Sequence, residues 1–276
     1  MRTQLEKAQV FQALHQGEGA FVIPNPWDVG TARLLAHLGF ESLASTSAGF
    51  AFSMGREDYQ VERDEMMTHI AELASATSLP VSADLENGFG DEPEVAAETI
   101  ALAAAAGVVG GSIEDATGRA DAPIYELAHA VERVRAAAEA ARALSFPFTL
   151  TARAENYLVG RTNIDDTIRR LQAYQQAGAD VLYAPGLISR DDIAAVVSSL
   201  DRPVNVLAGV KGMQFGVAEL SALGVKRISV GGSLARAALG AFHRAAQEMR
   251  DQGTFNFTRD AVSYADLSAI FREFGR

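Results

Sequence analysis

One piece of punctuation recurs along this chain and restricts what it can fold into. Alanine-rich stretches end in a glycine and run straight into short apolar segments, as in HLGF, AAGV, QAGAD and ALGVKR. Gly39, Gly107, Gly178 and Gly224 thus fall where a helix closes and a strand begins. The residue just past a helix end often turns left-handed, which glycine does without a Cβ penalty. The strand candidates are AFVIP (20–24), ESLAS (41–45), PVSAD (80–84), GGSIE (110–114), FTLTAR (148–153), DVLYA (180–184), PVNVL (203–207) and RISVG (227–231). Apolar residues every three or four positions predict helices over 30–38, 63–77, 93–106, 125–144, 164–177, 190–199, 216–223 and 233–250. Strand and helix alternating eight times predict a (β/α)8 TIM-type barrel. A doubly wound sheet would need a glycine-rich dinucleotide loop after the first strand, and NPWDVG is not one. The barrel takes residues 1–250, and 251–276 form a C-terminal helical extension of the same domain with one more helix over about 264–274. Its aromatics Phe255, Phe257 and Phe271 are expected to be exposed. An apolar tail outside a closed barrel packs on another surface, often a neighbouring subunit, so a homo-oligomer with this tail at the contact is expected.

Composition removes several function classes. There is no cysteine, which excludes disulfides, thiolate metal sites and thiol nucleophiles. The net charge of −11 argues against nucleic acid and anionic membranes as partners. The N-terminal stretch MRTQLEKAQVFQALHQGEGA lacks the apolar core of a signal peptide. The most apolar region, TIALAAAAGVVGG, is too short and glycine-rich to span a bilayer. A cytoplasmic protein is expected.

The acids sit at strand ends. Asp84 and Glu86 follow one apolar run, Glu114 and Asp115 a second, and Arg153 and Glu155 a third. In a parallel barrel those ends share the face where such barrels do chemistry. Asp84, Glu86 and Glu114 offer hard oxygen ligands that suit magnesium or manganese. Surface carboxylates or salt bridges within the barrel are the other reading. Arg153 either grips a substrate carboxylate with two parallel hydrogen bonds or neutralises Glu155 or Glu114. The loop STSAGF (45–50) has small residues whose N–H groups can cradle an anion. Asp58, in MGREDYQ, reads by itself as a solvated acid. VGGSLAR (230–236) is either a phosphate site or a helix start capped by Ser233. His15, His37, His69, His129 and His243 all fall in helical stretches, which leaves a Ser-His-Asp triad without candidates.

Read in order, NPWDVGTARLLAHLGFESLASTSAGFAFSMG, PVSADLENGFGD, GGSIED, TARAE and PVNVLAG resemble the isocitrate lyase/phosphoenolpyruvate mutase superfamily over roughly residues 20–250. The resemblance implies a barrel whose last helix swaps between subunits of a homodimer or homotetramer. It implies magnesium and a 2-oxo-carboxylate, with C–C or P–C bonds cleaved or formed beside an enolpyruvate-like intermediate. By the same resemblance Asp84 ligates the metal, while Glu86 and Glu114 act through metal-bound water. Arg153 and the backbone of Ser47, Ala48 and Gly49 hold the substrate. Asp58 matches an active-site aspartate, and Asn205 a polar group at the end of strand seven.

One departure matters. Isocitrate and methylisocitrate lyases carry a cysteine acid after the fourth strand, in a Lys-Arg/Lys-Cys-Gly-His loop, and the mutase and phosphonopyruvate hydrolase carry a lysine. Here the segment reads IEDATGRADAPIYEL, with Arg119 its only cation. Decarboxylation needs no such acid, because carbon dioxide leaves without a proton. The expectation is therefore a magnesium-dependent lyase or decarboxylase for a small oxaloacetate- or isocitrate-like carboxylate. A P–C bond enzyme or a non-catalytic 2-oxo acid binder is the alternative.

Overall fold

The computed structural model describes residues 2–275. Eight parallel strands carry the fold: β1 (Phe21–Ile23), β2 (Leu43–Ala44), β3 (Val81–Asp84), β4 (Gly110–Glu114), β5 (Thr149–Arg153), β6 (Val181–Tyr183), β7 (Val204–Leu207) and β8 (Arg227–Ser229). They pair in the order β1-β8-β7-β6-β5-β4-β3-β2. The seam between β1 and β2 is bridged by the Ala44 N–H donating to the Pro24 carbonyl at 3.1 Å and by Asn25 Nδ2 donating to the Ser45 carbonyl at 2.9 Å. The (β/α)8 architecture expected from the alternation is therefore the fold. All four punctuating glycines have positive φ, at 84°, 99°, 113° and 86° for Gly39, Gly107, Gly178 and Gly224.

The helices are α1 (Gln4–Gln16), α2 (Val29–His37), α3 (Ser47–Ser53), α4 (Arg63–Ala76), α5 (Pro93–Ala105), α6 (Leu127–Arg142), α7 (Ile164–Ala177), α8 (Arg190–Ser198), α9 (Val217–Ala222), α10 (Ser233–Gln252) and α11 (Tyr264–Arg272). Two were not foreseen. Helix α1 plugs the N-terminal end of the barrel, where buried Phe11 packs with Ala8, Ile23 and Val109. Gly110 makes room for it, since a Cβ there would stand 2.8 Å from the Phe11 ring. Helix α3 replaces the expected STSAGF loop. Thr46 caps it, accepting the Gly49 N–H at 3.2 Å.

Strand alternation sorts the barrel into two faces. Outward residues such as Leu150, Ala152, Leu182, Val204 and Ile228 join the apolar core under the helices. Inward residues are unusual. Barrel interiors are mostly Val, Ile and Leu, whereas this one carries the buried polar side chains Ser82, Thr151, Asn205, Arg227 and Ser229.

The C-terminal extension differs from expectation. Phe255 is exposed, but Phe257 and Phe271 are half-buried. Helix α11 packs on α2 of the same chain: Phe271 reaches Gly30, Arg33 lies 5.8 Å from the centre of the Phe274 ring, and His37 meets Glu273 at 3.0 Å. Helix α10, by contrast, buries only Ala235. Among the described residues no helix is long and apolar enough to cross a membrane.

Candidate active site

The mouth is organised around Arg153, the last residue of β5. Its Nη1 meets Asp84 Oδ1 at 2.9 Å, its Nη2 meets Glu114 Oε2 at 3.0 Å, and its Nε meets Glu155 Oε1 at 2.7 Å. Parallel pairing brings these groups together, because Glu114 is directly opposite Arg153 in the β4–β5 register. A guanidinium has five N–H donors, so two remain beyond these three contacts. Burial opposes the Arg153 charge, but Glu114, Glu155 and Asp84 outweigh it and push its pKa well up. Both readings of Arg153 hence meet at one residue: it neutralises Glu114 and Glu155 and still lines the cavity at the mouth.

That cavity is about 170 Å³, and Asp58, Asp84, Ser47, Ala48 and Asn205 all face it. At about 30 Å³ per water it has room for five or six waters, or one small acid. A larger cavity of about 560 Å³ opens at the opposite end between α1, α6 and the starts of β5 to β7, and contains none of these residues.

Negative charge exceeds positive charge at the mouth. Burial first, then Asp84 and Asp58, push the Glu86 pKa up to about 8. Burial and then Asp84 raise Asp58. Burial raises Glu114 above the usual carboxylate range, although Arg153 counters it. Glu86 also adopts a left-handed φ of 48°, a conformation costing a non-glycine residue about 1–3 kcal/mol and clustering at functional sites. Its Oε1 is buried without a hydrogen-bond partner.

For the metal, the resemblance makes Asp84 the direct ligand and leaves Glu86 and Glu114 to act mainly through bound water. Among the described residues no three Asp, Glu, His or Cys side chains form a ready-made metal cluster. Asp84, Glu86 and Glu114 do not converge as three direct ligands, because Asp84 and Glu114 close on Arg153 and Glu114 also accepts from the Tyr59 hydroxyl. The donor chemistry nevertheless fits a divalent cation. The orphaned Glu86 oxygen and the excess of hard carboxylates over Arg153 are what such an ion would satisfy.

Several of these residues have partners within the chain. Gly49 is one of them. Its N–H goes to Thr46, and an added Cβ would stand 2.5 Å from Thr46 Cγ2 and 3.2 Å from Trp27. It is a close-packing glycine, buried because α3 starts at Ser47 rather than looping outward. The Ser47 N–H and hydroxyl both donate to Asp84 Oδ2 at 3.1 Å, so its backbone donor is already engaged. Asn205 does not end strand seven; it is the second residue of β7, with its Oδ1 accepting from Arg227 Nε at 2.9 Å and its Nδ2 donating to Ser229 Oγ at 2.9 Å. Asp115 turns away from the mouth to Arg170 at 3.1 Å and to the Tyr174 hydroxyl. Arg119 pairs with Asp91 at 2.7 Å. Ser233 does not cap α10, because its hydroxyl donates to the Gly209 carbonyl at 3.0 Å.

The histidines stay in helices, with His15 and His69 buried. Tyr59, Tyr183 and Arg227 were missed. Counting inward by twos from Ser229 reaches Arg227, so strand alternation held that signal; nothing in the sequence singled out Tyr59.

An eight-stranded barrel with an arginine set among carboxylates at the C-terminal mouth of its strands is an enzyme architecture for small anions. The phosphoenolpyruvate phosphomutase family profile matches residues 11–250. The chain belongs to that family, within the isocitrate lyase/phosphoenolpyruvate mutase superfamily of lyases and mutases. It is 64% identical to a candidate lyase/mutase of Burkholderia cenocepacia J2315, whose crystal structure superposes with a TM-score of 0.95 over 97% of this chain and 96% of that one. Oxaloacetate decarboxylase of Chromohalobacter salexigens is 27% identical over 96% of this chain and 93% of its own length. Oxaloacetate acetylhydrolase, solved with its product oxalate, is 25% identical with a TM-score of 0.85, covering 97% of this chain and 93% of that one.

Proposed function

We propose that this chain is a divalent-metal-dependent lyase that decarboxylates an oxaloacetate-like 2-oxo dicarboxylate. The observation that carries the reading is the segment after β4. Asp115 is locked onto Arg170 and Tyr174, Arg119 is paired outside with Asp91, and among residues 115–125 no cysteine, histidine or lysine is available as an acid. A lyase that releases a carboxylic acid as a carbanion must protonate it at once. Loss of carbon dioxide avoids that need: the C–C bond to the carboxylate breaks, its electron pair stays on the product as an enolate, and a solvent proton follows later. The two free N–H donors of Arg153 would hold the substrate oxygens and stabilise the enolate charge as it forms. A magnesium or manganese ion held by Asp84, with Glu86 beside it, would supply Lewis-acid charge at the same oxygens. The similarity to oxaloacetate decarboxylase and oxaloacetate acetylhydrolase supports an oxaloacetate-like acid as substrate.

The test is a panel of oxaloacetate, isocitrate, methylisocitrate and phosphonopyruvate, followed by NMR with and without magnesium. Oxaloacetate should be turned over fastest. Isocitrate cleavage should be slower by about 10²–10⁴-fold, the usual contribution of a general acid. Isocitrate as the best substrate would overturn the decarboxylase reading, and phosphonopyruvate as the best would establish P–C chemistry. For the metal, titration calorimetry with magnesium and the unreactive diacid oxalate should show binding that Asp84→Ala abolishes. Equal binding in excess EDTA would remove the metal from the proposal.

A further inference from the structure

Below the mouth, the barrel interior holds a cation that the proposed chemistry does not use. Arg227, the first residue of β8, is only 5% exposed. Its hydrogen bonds go to two neutral side chains: Nε donates to Asn205 Oδ1 at 2.9 Å and Nη2 donates to Thr151 Oγ1 at 3.0 Å. Nη1 is buried and has no partner. Among the described residues no carboxylate pairs with Arg227. Burial pushes its pKa down to about 10, and the neighbour that opposes this shift is Tyr183, not an acid. His15 on α1 cannot supply the missing negative charge, and burial and then the Arg227 charge keep its ring neutral.

An arginine this deep is normally paired, because removing a charge from water is costly unless an opposite charge or a full set of acceptors replaces the solvent. The surroundings are arranged to complete such a set. The guanidinium borders the same 170 Å³ cavity as Arg153, together with the inward-facing Ser82, Ser112, Tyr183 and Ser229. Asn205 orients the guanidinium through Nε and is itself fixed by Ser229, so Nη1 is left as the free donor. A hydrocarbon interior, the usual filling of such barrels, would leave this charge stranded.

We infer that Arg227, with the hydroxyls around it, forms an anion-binding subsite on the barrel floor, separate from the Arg153 mouth, that takes one small anion. The anion is either a free one, such as a halide or formate, or, for a mouth that acts on a diacid keeping both its carboxylates rather than on oxaloacetate, the second of those carboxylates. A carboxylate destined to leave as carbon dioxide does not suit this place, since an ion pair holding it in the ground state would oppose its loss. The subsite does not depend on which reaction the mouth performs.

The test uses the whole chain at constant ionic strength, exchanging bulky isethionate for chloride. The melting temperature should rise saturably with chloride, and a bromide-soaked crystal should show an anomalous peak beside Arg227 Nη1. Asn205→Asp provides the control. It places a carboxylate where Arg227 Nε already donates, supplies the missing charge from within, and should weaken chloride binding by roughly tenfold or more, about 1.4 kcal/mol. Arg227→Met, if it folds, should abolish the chloride effect. Steady-state kinetics separate the two sources. Chloride raising KM at constant kcat would identify a substrate carboxylate as the occupant, whereas chloride stabilisation without a kinetic effect would identify a resident anion. Equal melting curves in chloride and isethionate, or a chloride effect unchanged in Asn205→Asp, would overturn the subsite.

Discussion

Arg153 shows how one side chain can be both structural and chemical. Its three nitrogens each meet a carboxylate at 3.0 Å or less, and two of those acids, Glu114 and Glu155, have side chains only 2% exposed. Lysine keeps the charge but not the fork. Arg153→Lys should therefore lose activity and also about 1–3 kcal/mol of stability, the cost of leaving buried acceptors without a donor. Urea denaturation measures the second effect; a variant of wild-type stability would show that the carboxylates are content without the fork. The buried histidines give a pH prediction. Burial lowers His15 to about 3 and His69 to about 4. Both folded values lie below the unfolded value near 6.5, so the native state binds fewer protons than the unfolded chain. Stability from these groups is complete above about pH 6.5 and falls as the pH drops towards 4, by about 1.4 kcal/mol per pH unit for each. His69 stacks on Phe50 at 3.7 Å between ring centres, so His69→Phe keeps the packing. Between pH 7.5 and pH 5 that variant should lose about 2 kcal/mol less than wild type. Parallel losses in the two proteins would place the acid sensitivity elsewhere.

At the scale of elements, α1 is the least expected piece and the easiest to test. It closes the barrel end with Phe11, which is fully buried. Phe11→Ala should cost about 3–5 kcal/mol, seen as a lower urea midpoint. Gly110→Ala should also destabilise, since the new Cβ would stand 2.8 Å from the Phe11 ring and 2.9 Å from the Thr149 carbonyl. The ring can move but the carbonyl, inside the β4–β5 ladder, cannot. Combining Gly110→Ala with Phe11→Ala should thus recover only part of the Gly110→Ala loss, and full recovery would show that the ring was the only obstacle. The sequence reading missed α1 because its face is short of large apolar residues, with only Lys7, Ala8, Phe11 and His15 buried. It missed α3 because Ser, Gly and Ala suit turns as well as a seven-residue helix.

At the scale of the whole molecule, the exposed apolar surface points outward along α10. Leu239, Phe242 and Met249 are 44%, 72% and 42% exposed, and their spacing of three and seven puts them on one stripe. Phe255, Val262 and Tyr264 in the C-terminal extension add 64%, 60% and 89% exposed apolar side chains. We propose that a second copy of the chain covers this surface, as the swapped last helix of the superfamily would, with residues 251–276 remaining one domain with the barrel. Light scattering at micromolar concentration should report a dimer or tetramer, and Phe242→Glu should shift it towards monomer. A wild-type monomer would exclude the contact.

Local sequence determined the strand and helix order. Glycine punctuation and apolar period are properties of neighbours along the chain, so eight βα units were legible together with the mouth residues Asp84, Glu114 and Arg153 at their strand ends. Tertiary structure alone decided what those residues touch. Asp84 and Arg153 are 69 positions apart and meet because the sheet curls into a barrel. The same closure turned Asn205 inward onto Arg227, carried Asp115 away to Arg170, and pressed Gly49 against Trp27. Pairings of that kind depend on strand register and helix placement, which no local spacing encodes; the uncompensated charge of Arg227 became visible only once the strands surrounding it were in place.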